Sequence, residues 1–544
     1  MVEMDSEELI VELNYKNIIV DERLQGKEFN VRRMFDLLPA TIVDKRTLRV
    51  VEIHDLFKTV DHTSTMIGSA RLFHSLMNPS QSIELVYAKQ DAYAELESNE
   101  RLQAAIHDFL IEFSRMEVDL FRFLNAHLHP MTAYGDYKSA ARAVDKLLAA
   151  TEKLPLTETV YLDSLIKSIL SLKGSPVRDI LAGSAYRTFS GIKSGEEVCL
   201  YTPTLRFRPQ RLGFGALWPT LPGIFSGSAW LFGFLDPYLA KTMFLSTSWL
   251  SVLGFVYGAV LKPTIDYETA ILPIRKRLIE SDRFVSAIEA VAAIDELMSF
   301  VLFSRAMPHP TVLPELTNEE THFFVARDLR NPILAMRDKG YVGNDVNLAG
   351  ARVSFITGPN SGGKTTYCKS IVQNQILAQI GAPVVASAAM INMADRITYQ
   401  APSFDSLSDM EGRFGTELKV TRDIFYSVTP QSLVILDEIA EGTTSHEKVN
   451  FSVDIINGFF IIGNNTLLVT HSFELVDYFM GKSKGQCLQM EFDNDLPTHK
   501  IISGISRDSH AYRVAAKIGF SPEDIRRHLR EKGYIAEEQE GTTF

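Results

Sequence analysis

Nine consecutive residues, Gly358-Pro359-Asn360-Ser361-Gly362-Gly363-Lys364-Thr365-Thr366, carry the clearest chemistry in this chain. Their spacing is G-x-x-x-x-G-K-T, in which glycines let the backbone turn tightly enough for its N–H groups to cradle a phosphate. Lys364 would set a point charge on the β- and γ-phosphates, and the Thr365 hydroxyl could ligate Mg²⁺. The motif has meaning only between a strand and a helix. Arg352 to Thr357 (RVSFIT) reads as a buried strand and Tyr367 to Ile380 as a helix. ATP with Mg²⁺ is the expected ligand; the alternative is a chance match in a loop.

Two downstream segments add to this. Ser432-Leu433-Val434-Ile435-Leu436-Asp437-Glu438 is an apolar strand that ends in two carboxylates. In a nucleotide-binding fold Asp437 would serve the metal, through water or through Thr365, and Glu438 would polarise the attacking water. The bland reading is a strand that ends in a solvated acidic turn. Thr466-Leu467-Leu468-Val469-Thr470-His471 is a further apolar strand, and His471 at its end could hydrogen-bond a γ-phosphate. A lone histidine there is more often structural. The order of phosphate loop, acidic strand and histidine strand favours the functional reading, with Lys364, Glu438 and His471 as the hydrolytic groups.

A chain of 544 residues is long enough for three or more domains. With 46% hydrophobic and 22% charged residues it is a folded protein with sizeable cores. Its net charge of -12 argues against a globally basic nucleic-acid binder, though a local basic groove is compatible with it. Cys199, Cys368 and Cys487 are too far apart in sequence for a metal motif or a disulfide framework. The acidic start, MVEMDSEELI, has no signal-peptide pattern, which suits a cytoplasmic protein.

The C-terminal half resembles the ATPase domain of the MutS family, the DNA mismatch-repair proteins and their relatives. The likeness rests on GPNSGGKTTY, with Ser361 where methionine is usual, and on Tyr341-Val342-Gly343-Asn344-Asp345 before it. It rests also on Asp437-Glu438-Ile439-Ala440-Glu441-Gly442-Thr443-Thr444 and Thr470-His471-Ser472-Phe473-Glu474-Leu475 after it. Further matches run from Ser506 to Tyr512 and from Val514 to Phe520. Upstream, Thr63 to Leu72 and Leu76-Met77-Asn78-Pro79 look like the start of the family's helical core. The resemblance implies an ABC-type P-loop ATPase domain of α/β class on a helical core with levers. It also implies a homodimer closed by ATP, DNA as a partner, adenine stacked on Tyr341 and a base held by Asn344. Two departures stand out. Only about fifty residues precede the core, which leaves no room for the family's mismatch-reading and connector domains in this sequence. The glycine-rich signature, Asp409-Met410-Glu411-Gly412-Arg413-Phe414-Gly415-Thr416-Glu417, is shorter than usual.

The middle of the chain differs most. Leu212 to Leu235 contains no charged residue, and Thr242 to Leu261 is again uncharged and mostly apolar. Each run has the length of a membrane-spanning helix. Trp218, Trp230, Trp249 and Tyr257 suit an interface, and Arg206, Arg208, Arg211 and Lys262 flank the pair. A membrane hairpin over 212–261, with the ATPase on the cytoplasmic side, is one expectation. A buried helical pair or a dimerisation surface is the other, since Pro219, Pro222, Gly223 and Gly227 weaken the first run as a helix. Met116, Phe121 and Phe123 read as core. Tyr267 to Phe303 reads as one long helix that Pro273 kinks or delays, with Arg275, Lys276 and Arg277 on its solvated face. The resulting scheme is an N-terminal segment (1–54), helical core (55–172), hydrophobic insert (173–265), lever helix (266–310), ATPase domain (311–520) and a C-terminal helix with its tail (521–544).

Overall fold

The computed structural model describes residues 42–124, 132–198, 203–209, 221–234, 236–359, 363–401, 412–439, 445–493, 496–506 and 518–534. Two compact units divide the chain. One takes in Val60–His74 and Ala88–Phe303 with the first 38 residues, which lie outside the described ones. The other takes in Pro39–Thr59, Ser75–Tyr87 and Ser304–Phe544.

The first unit is mainly helical. Its main helices are α1 (Met66–Met77), α2 (Ile83–Ser98), α3 (Glu100–Leu124), α4 (Ala133–Thr151) and α5 (Val160–Leu170). Later come α6 (Leu221–Leu231), α7 (Pro237–Val256), α8 (Leu272–Ile279) and α9 (Asp282–Ala306). Apolar residues at helical spacing on α3 are buried, from Leu102 and Ile106 through Phe113 to Phe123, and Met116 and Phe121 lie in the same core. Helix α9 is buried on nearly every side between Ala290 and Val301, so its two acidic residues need partners. Asp295 accepts the Ser64 N–H at 3.0 Å, the Thr65 N–H at 2.8 Å and the Thr65 hydroxyl at 2.6 Å. Glu117 of α3 accepts the Met66 and Ile67 N–H groups at 2.9 and 2.8 Å. Two buried carboxylates from distant helices therefore cap the start of α1, whose first N–H groups have no partner inside the helix. Burial lifts the Asp295 carboxyl to about 6 against the pull of those hydrogen bonds. Glu296 is matched by Lys89 at 2.9 Å.

Within the stretch expected to be a hydrophobic insert, a small antiparallel sheet precedes the apolar helices. It consists of β1 (Tyr186–Thr188), β2 (Gly191–Lys193) and β3 (Leu205–Arg206), with β1 in the centre. Ion pairs fasten it to the helix C-terminal to α7: Arg187 to the buried Asp266, and Arg277 to Glu197 at 2.6 Å. Arg277 also donates to the Ile192 carbonyl at 2.8 Å, and Arg275 donates to the Leu124 carbonyl. These two arginines hold structure together instead of lying on a solvated face. Only Lys276 of the three basic residues remains largely exposed, at 73%.

No helix among the described residues is long and apolar enough to cross a membrane, so the expected spanning pair is not found there. Residues 212–220 and 235 of the first run lie outside the described residues. Helix α6, the described part of that run, has eleven residues and ends in a turn at Phe232-Gly233. Helix α7 begins at an N-cap, Asp236, whose carboxylate accepts the Tyr238 and Leu239 N–H groups, and it carries Lys241 one turn later. From α7 the helix continues without a break to Ile279, through two wide π-helical turns at Tyr257–Leu261 and Tyr267–Ile271. Each wide turn lies just before a proline, Pro263 and Pro273, whose missing N–H leaves a carbonyl of the preceding turn without its regular donor. Pro273 thus neither starts nor stops the helix. The single helix expected over Tyr267 to Phe303 is instead interrupted at Ser281, between α8 and α9.

The second unit is mixed α/β. Short strands β4 (Glu315–Thr317), β5 (Phe324–Leu329), β6 (Asn344–Asn347) and β8 (Ala388–Asn392) form a sheet ordered β4-β8-β5-β6. The main sheet contains β7 (Val353–Thr357), β9 (Ile397–Gln400), β10 (Leu433–Asp437), β11 (Asn465–Val469), β12 (Gln486–Asp493) and β13 (Leu496–Ser503). Its order is β13-β12-β7-β11-β10-β9, parallel except for the β12–β13 pair. Strands β7, β10 and β11 are buried at every residue, as expected when helices cover both faces. Helices α10 (Lys364–Gln379), α11 (Gly412–Ser427), α12 (Ser445–Ile462) and α13 (Phe473–Met480) connect the strands. On one face Phe355, Leu436, Leu468, Phe459 and Phe479 share a core, with the Phe355 and Phe479 rings 5.4 Å apart. After the sheet, Ser521 and Asp524 form a capping box that starts the expected helix Pro522–Glu531.

Gly68 lies directly under the Asp295 carboxylate; a Cβ there would stand 2.1 Å from Oδ2. Gly68→Ala is expected to destabilise the helical unit by about 1–3 kcal/mol, because both neighbours are fixed by buried hydrogen bonds. Denaturant unfolding checks this; an unchanged midpoint would show that the α1 cap yields freely.

Candidate functional site

Three parallel strands end side by side. The register pairs Asp437 of β10 with Val469 of β11, and Val469 with Ile356 of β7. The residues just after each strand, Gly358 onward, Glu438 and His471, therefore emerge at one edge of the sheet. In open α/β sheets this carboxyl edge is where ligands bind.

After β7 the chain enters the glycine loop. Gly358 has φ 122° and Gly363 has φ 102°, backbone positions that favour glycine. Asn360, Ser361 and Gly362 lie outside the described residues. Gly363 is the N-cap of α10, so Lys364, Thr365 and Thr366 form its first turn, whose free N–H groups and dipole favour an anion. The Lys364 ammonium donates to the Gly358 carbonyl at 2.6 Å and the Pro359 carbonyl at 2.9 Å. Burial pushes its pKa down to about 8, with Asp437 acting in the other direction.

The Thr365 hydroxyl donates to Asp437 Oδ2 at 3.1 Å. Burial raises the Asp437 carboxyl above its usual range, against the Thr365 hydrogen bond and the Lys364 charge. One hydroxyl and one carboxylate, both hard oxygen donors, suit Mg²⁺ that keeps waters and substrate oxygens as its remaining ligands. No group of three or more His, Cys, Asp or Glu residues arranged for a metal occurs among the described residues, so a complete protein cage is not offered. Glu438 has φ 67°, a left-handed backbone that costs a non-glycine residue about 1–3 kcal/mol. Its N–H is held by the Val469 carbonyl at 2.9 Å. This geometry turns its side chain, 14% exposed, toward His471, whose Nε2 stands 3.6 Å from Glu438 Oε1. Ala440 to Thr444 and Asp409 to Glu411 lie outside the described residues. Of the signature segment, Glu417 is buried in α11.

Beside the start of α10 lies a cavity of about 430 Å³, lined among others by Tyr341, Asn344, Thr366, Tyr367, Met490 and His499. Tyr341 is thus next to the glycine loop, and burial raises its phenol pKa, opposed by a hydrogen bond with Ser370. Asn344 lines the same cavity and also makes structural hydrogen bonds. Its amide donates to the His499 carbonyl at 3.0 Å and accepts the Ile501 N–H at 2.7 Å, so it ties β6 to β13. Those bonds fix His499, which has φ 62°. Ring atom Nδ1 of His499 is 3.9 Å from where a Cβ on Gly363 would sit, and the Met490 methyl is 3.6 Å from it. Sequence reasoning missed Met490 and His499. They come from an antiparallel strand pair more than a hundred residues beyond the loop, and no local motif marks them.

A mixed α/β domain with a glycine loop, an acidic strand end and a histidine strand end at one sheet edge is the arrangement found, and comparison with known proteins assigns it. Residues 354–533 match the family model for MutS domain V. The MSH3 DNA mismatch repair protein of Kluyveromyces lactis is 30% identical over 254 residues, 44% of this chain and 24% of that protein. The MutS DNA mismatch repair protein of Haloquadratum walsbyi is 29% identical over 282 residues, 48% of this chain and 29% of that protein. That of Chloroflexus aurantiacus is 31% identical over 262 residues, 45% of this chain and 26% of that protein. Over this region the chain is similar to the MutS family. It spans less than a third of the length of these relatives.

With Lys364 titrating near pH 8 in the free protein, affinity for a nucleoside triphosphate is expected to fall as pH rises through 8. The slope approaches about tenfold per pH unit while the bound lysine stays charged. Fluorescence titration between pH 7 and 9.5 checks this, with Lys364→Ala as the variant that loses the slope. A flat profile in the unaltered chain would mean that the lysine does not meet the phosphates.

Proposed function

We propose that this protein is an ABC-type P-loop ATPase of the MutS kind, a conformational switch driven by ATP that acts on DNA. The observation that carries the reading is the convergence of Lys364, the Thr365–Asp437 pair, Glu438 and His471 at one sheet edge. The N–H groups of Gly358–Thr366 and the Lys364 ammonium hold the phosphates. Thr365 and Asp437 would hold Mg²⁺, which when bound would draw charge from the phosphate oxygens. Tyr341, with Met490 and His499, encloses the base. Glu438 orients the attacking water and accepts its proton as the bond to phosphorus forms, and His471 registers the γ-phosphate. ADP and phosphate are the products.

Closure of two ATPase domains in a homodimer is the motion this chemistry would drive, with the region 266–310 as the lever that would carry it to residues 173–265. DNA as the partner, and a relation to mismatch repair, are supported by the relatives, which are DNA mismatch repair proteins. A cytoplasmic site of action belongs to the same reading.

Glu438→Ala is expected to keep ATP binding and to lower the steady-state hydrolysis rate at least 100-fold. Hydrolysis by the unaltered chain should rise when duplex, mismatched or branched DNA is added at low salt, and the rise should fade as salt increases. Hydrolysis indifferent to every DNA would remove DNA from the proposal, and full activity in Glu438→Ala would remove the assignment of the base. His499→Ala is expected to weaken ATP binding while leaving tripolyphosphate binding unchanged, as competition titration would reveal; equal loss of both would place His499 elsewhere.

A further inference from the structure

The two faces of the main sheet hold different groups. Val434 and Leu436 of β10, Leu468 of β11 and Phe355 of β7 belong to the apolar core on one face. Side chains alternate along a strand, so Ile435 and Asp437 point to the other face, where the Thr365 hydroxyl of α10 meets Asp437. Strand β9 runs parallel beside β10, and its Tyr399 pairs with Ile435. Tyr399 therefore shares a face with Asp437, one strand over and two residues back. Two residues along a strand cover about 6.6 Å, a gap that a tyrosine side chain spans.

Tyr399 is buried, and its backbone is pinned from the far side of β9. Its N–H donates to the Thr47 hydroxyl at 2.7 Å, and that hydroxyl donates to Asp44 Oδ2 at 3.0 Å. The Ile397 N–H donates to the Ile42 carbonyl at 3.0 Å, so residues 42–47 close this edge of the sheet. The phenol oxygen is different. It is shut off from water and has no well-aligned hydrogen-bond partner among the described residues. A buried donor left in that state is unfavourable, and nearly all such groups find an acceptor. Two polar groups reach it across this face. Burial raises the phenol pKa well above its usual range, with Cys368 and then Asp437 adding to it. Asp437 feels the hydroxyl in turn: burial raises its carboxyl, and Thr365, Lys364 and Tyr399 draw it back. Cys368 is a buried thiol one turn beyond Lys364, and sulfur accepts only weakly. The carboxylate is the strong acceptor, and its Oδ2 already takes the Thr365 hydroxyl.

A carboxylate that ligates a metal is itself held by outer donors, whose loss lowers metal affinity about 10- to 100-fold. We propose that Tyr399 is a positioning residue of the Mg²⁺ pair, its hydroxyl donating to Asp437 and holding that carboxylate beside Thr365. This role rests on the ATPase reading above and acts on the metal only through Asp437.

Mn²⁺ titrated into the full chain with a nonhydrolysable ATP analogue, and followed by electron paramagnetic resonance, tests this. Tyr399→Phe keeps the ring and removes only the oxygen. It is expected to weaken Mn²⁺ binding about 10-fold or more, while affinity for the analogue in EDTA stays unchanged. In an Asp437→Asn background the same substitution should have no further effect, because the two groups act as one unit. Unchanged Mn²⁺ affinity in Tyr399→Phe would overturn the proposal. So would an equal loss of analogue binding in EDTA, which marks a packing role, or a further loss on top of Asp437→Asn. An unaltered chain that binds neither the analogue nor Mn²⁺ would instead remove the ATPase reading, and this role with it.

Discussion

Parallel pairing of β7, β11 and β10 is the constraint on which the candidate site depends. Backbone hydrogen bonds fix the register, and the register decides that Thr357, Asp437 and Thr470 reach the same edge. None of the side chains at that edge chooses its neighbours; the ladder chooses them. Strand burial on both faces makes a slip costly, because shifting one strand by a residue would carry every side chain to the opposite face. The strained backbone at Glu438 persists only because the strand before it and the Val469 carbonyl hold it on both sides.

The helical unit meets a different problem with a similar device. A helix start buried among other helices has no water for its free N–H groups, and a local N-cap alone satisfies few of them. Here Asp295 and Glu117 come from elsewhere in the sequence and bind four backbone N–H groups of residues 64–67 between them. Each carboxylate is buried and would be unfavourable without those donors, and the donors would be unfavourable without the carboxylates. The mutual dependence explains why glycine stands at position 68, where any side chain would press on Asp295.

Much of the site was legible because its parts are local. A glycine loop followed by Lys364 and Thr365, two carboxylates after an apolar strand, and a histidine after another each reveal themselves within ten residues. The strand–loop–helix order also comes from hydrophobic pattern. What the pattern hides is anything set by pairing between distant strands. The bonds of Asn344 to β13 have no local signal, and His499 and Met490 gain their place from β12–β13 packing against β7. The helical middle is hard to read for another reason. Uncharged length is common to membrane spans and to helices that pack on other helices, and composition cannot tell them apart. Break points such as Ser281, and the ion pairs of Arg277 and Arg187, are tertiary facts with no local signal.

The wide turns at Tyr257–Leu261 and Tyr267–Ile271 have a consequence for the phase of the helix that contains them. Each behaves as one residue inserted into an otherwise regular helix. With about 100° of rotation per residue, two insertions rotate everything beyond Leu272 by roughly 200° relative to α7. Residues that heptad counting would align on one stripe therefore face nearly opposite ways before and after the pair. The outward apolar stripe of the hairpin can thus give way to Ile274 and Leu278, both buried, within a helix that never breaks. Loss of a single residue from either turn would leave both halves intact and reverse only their relative orientation in part, so chain length here acts as a rotational setting.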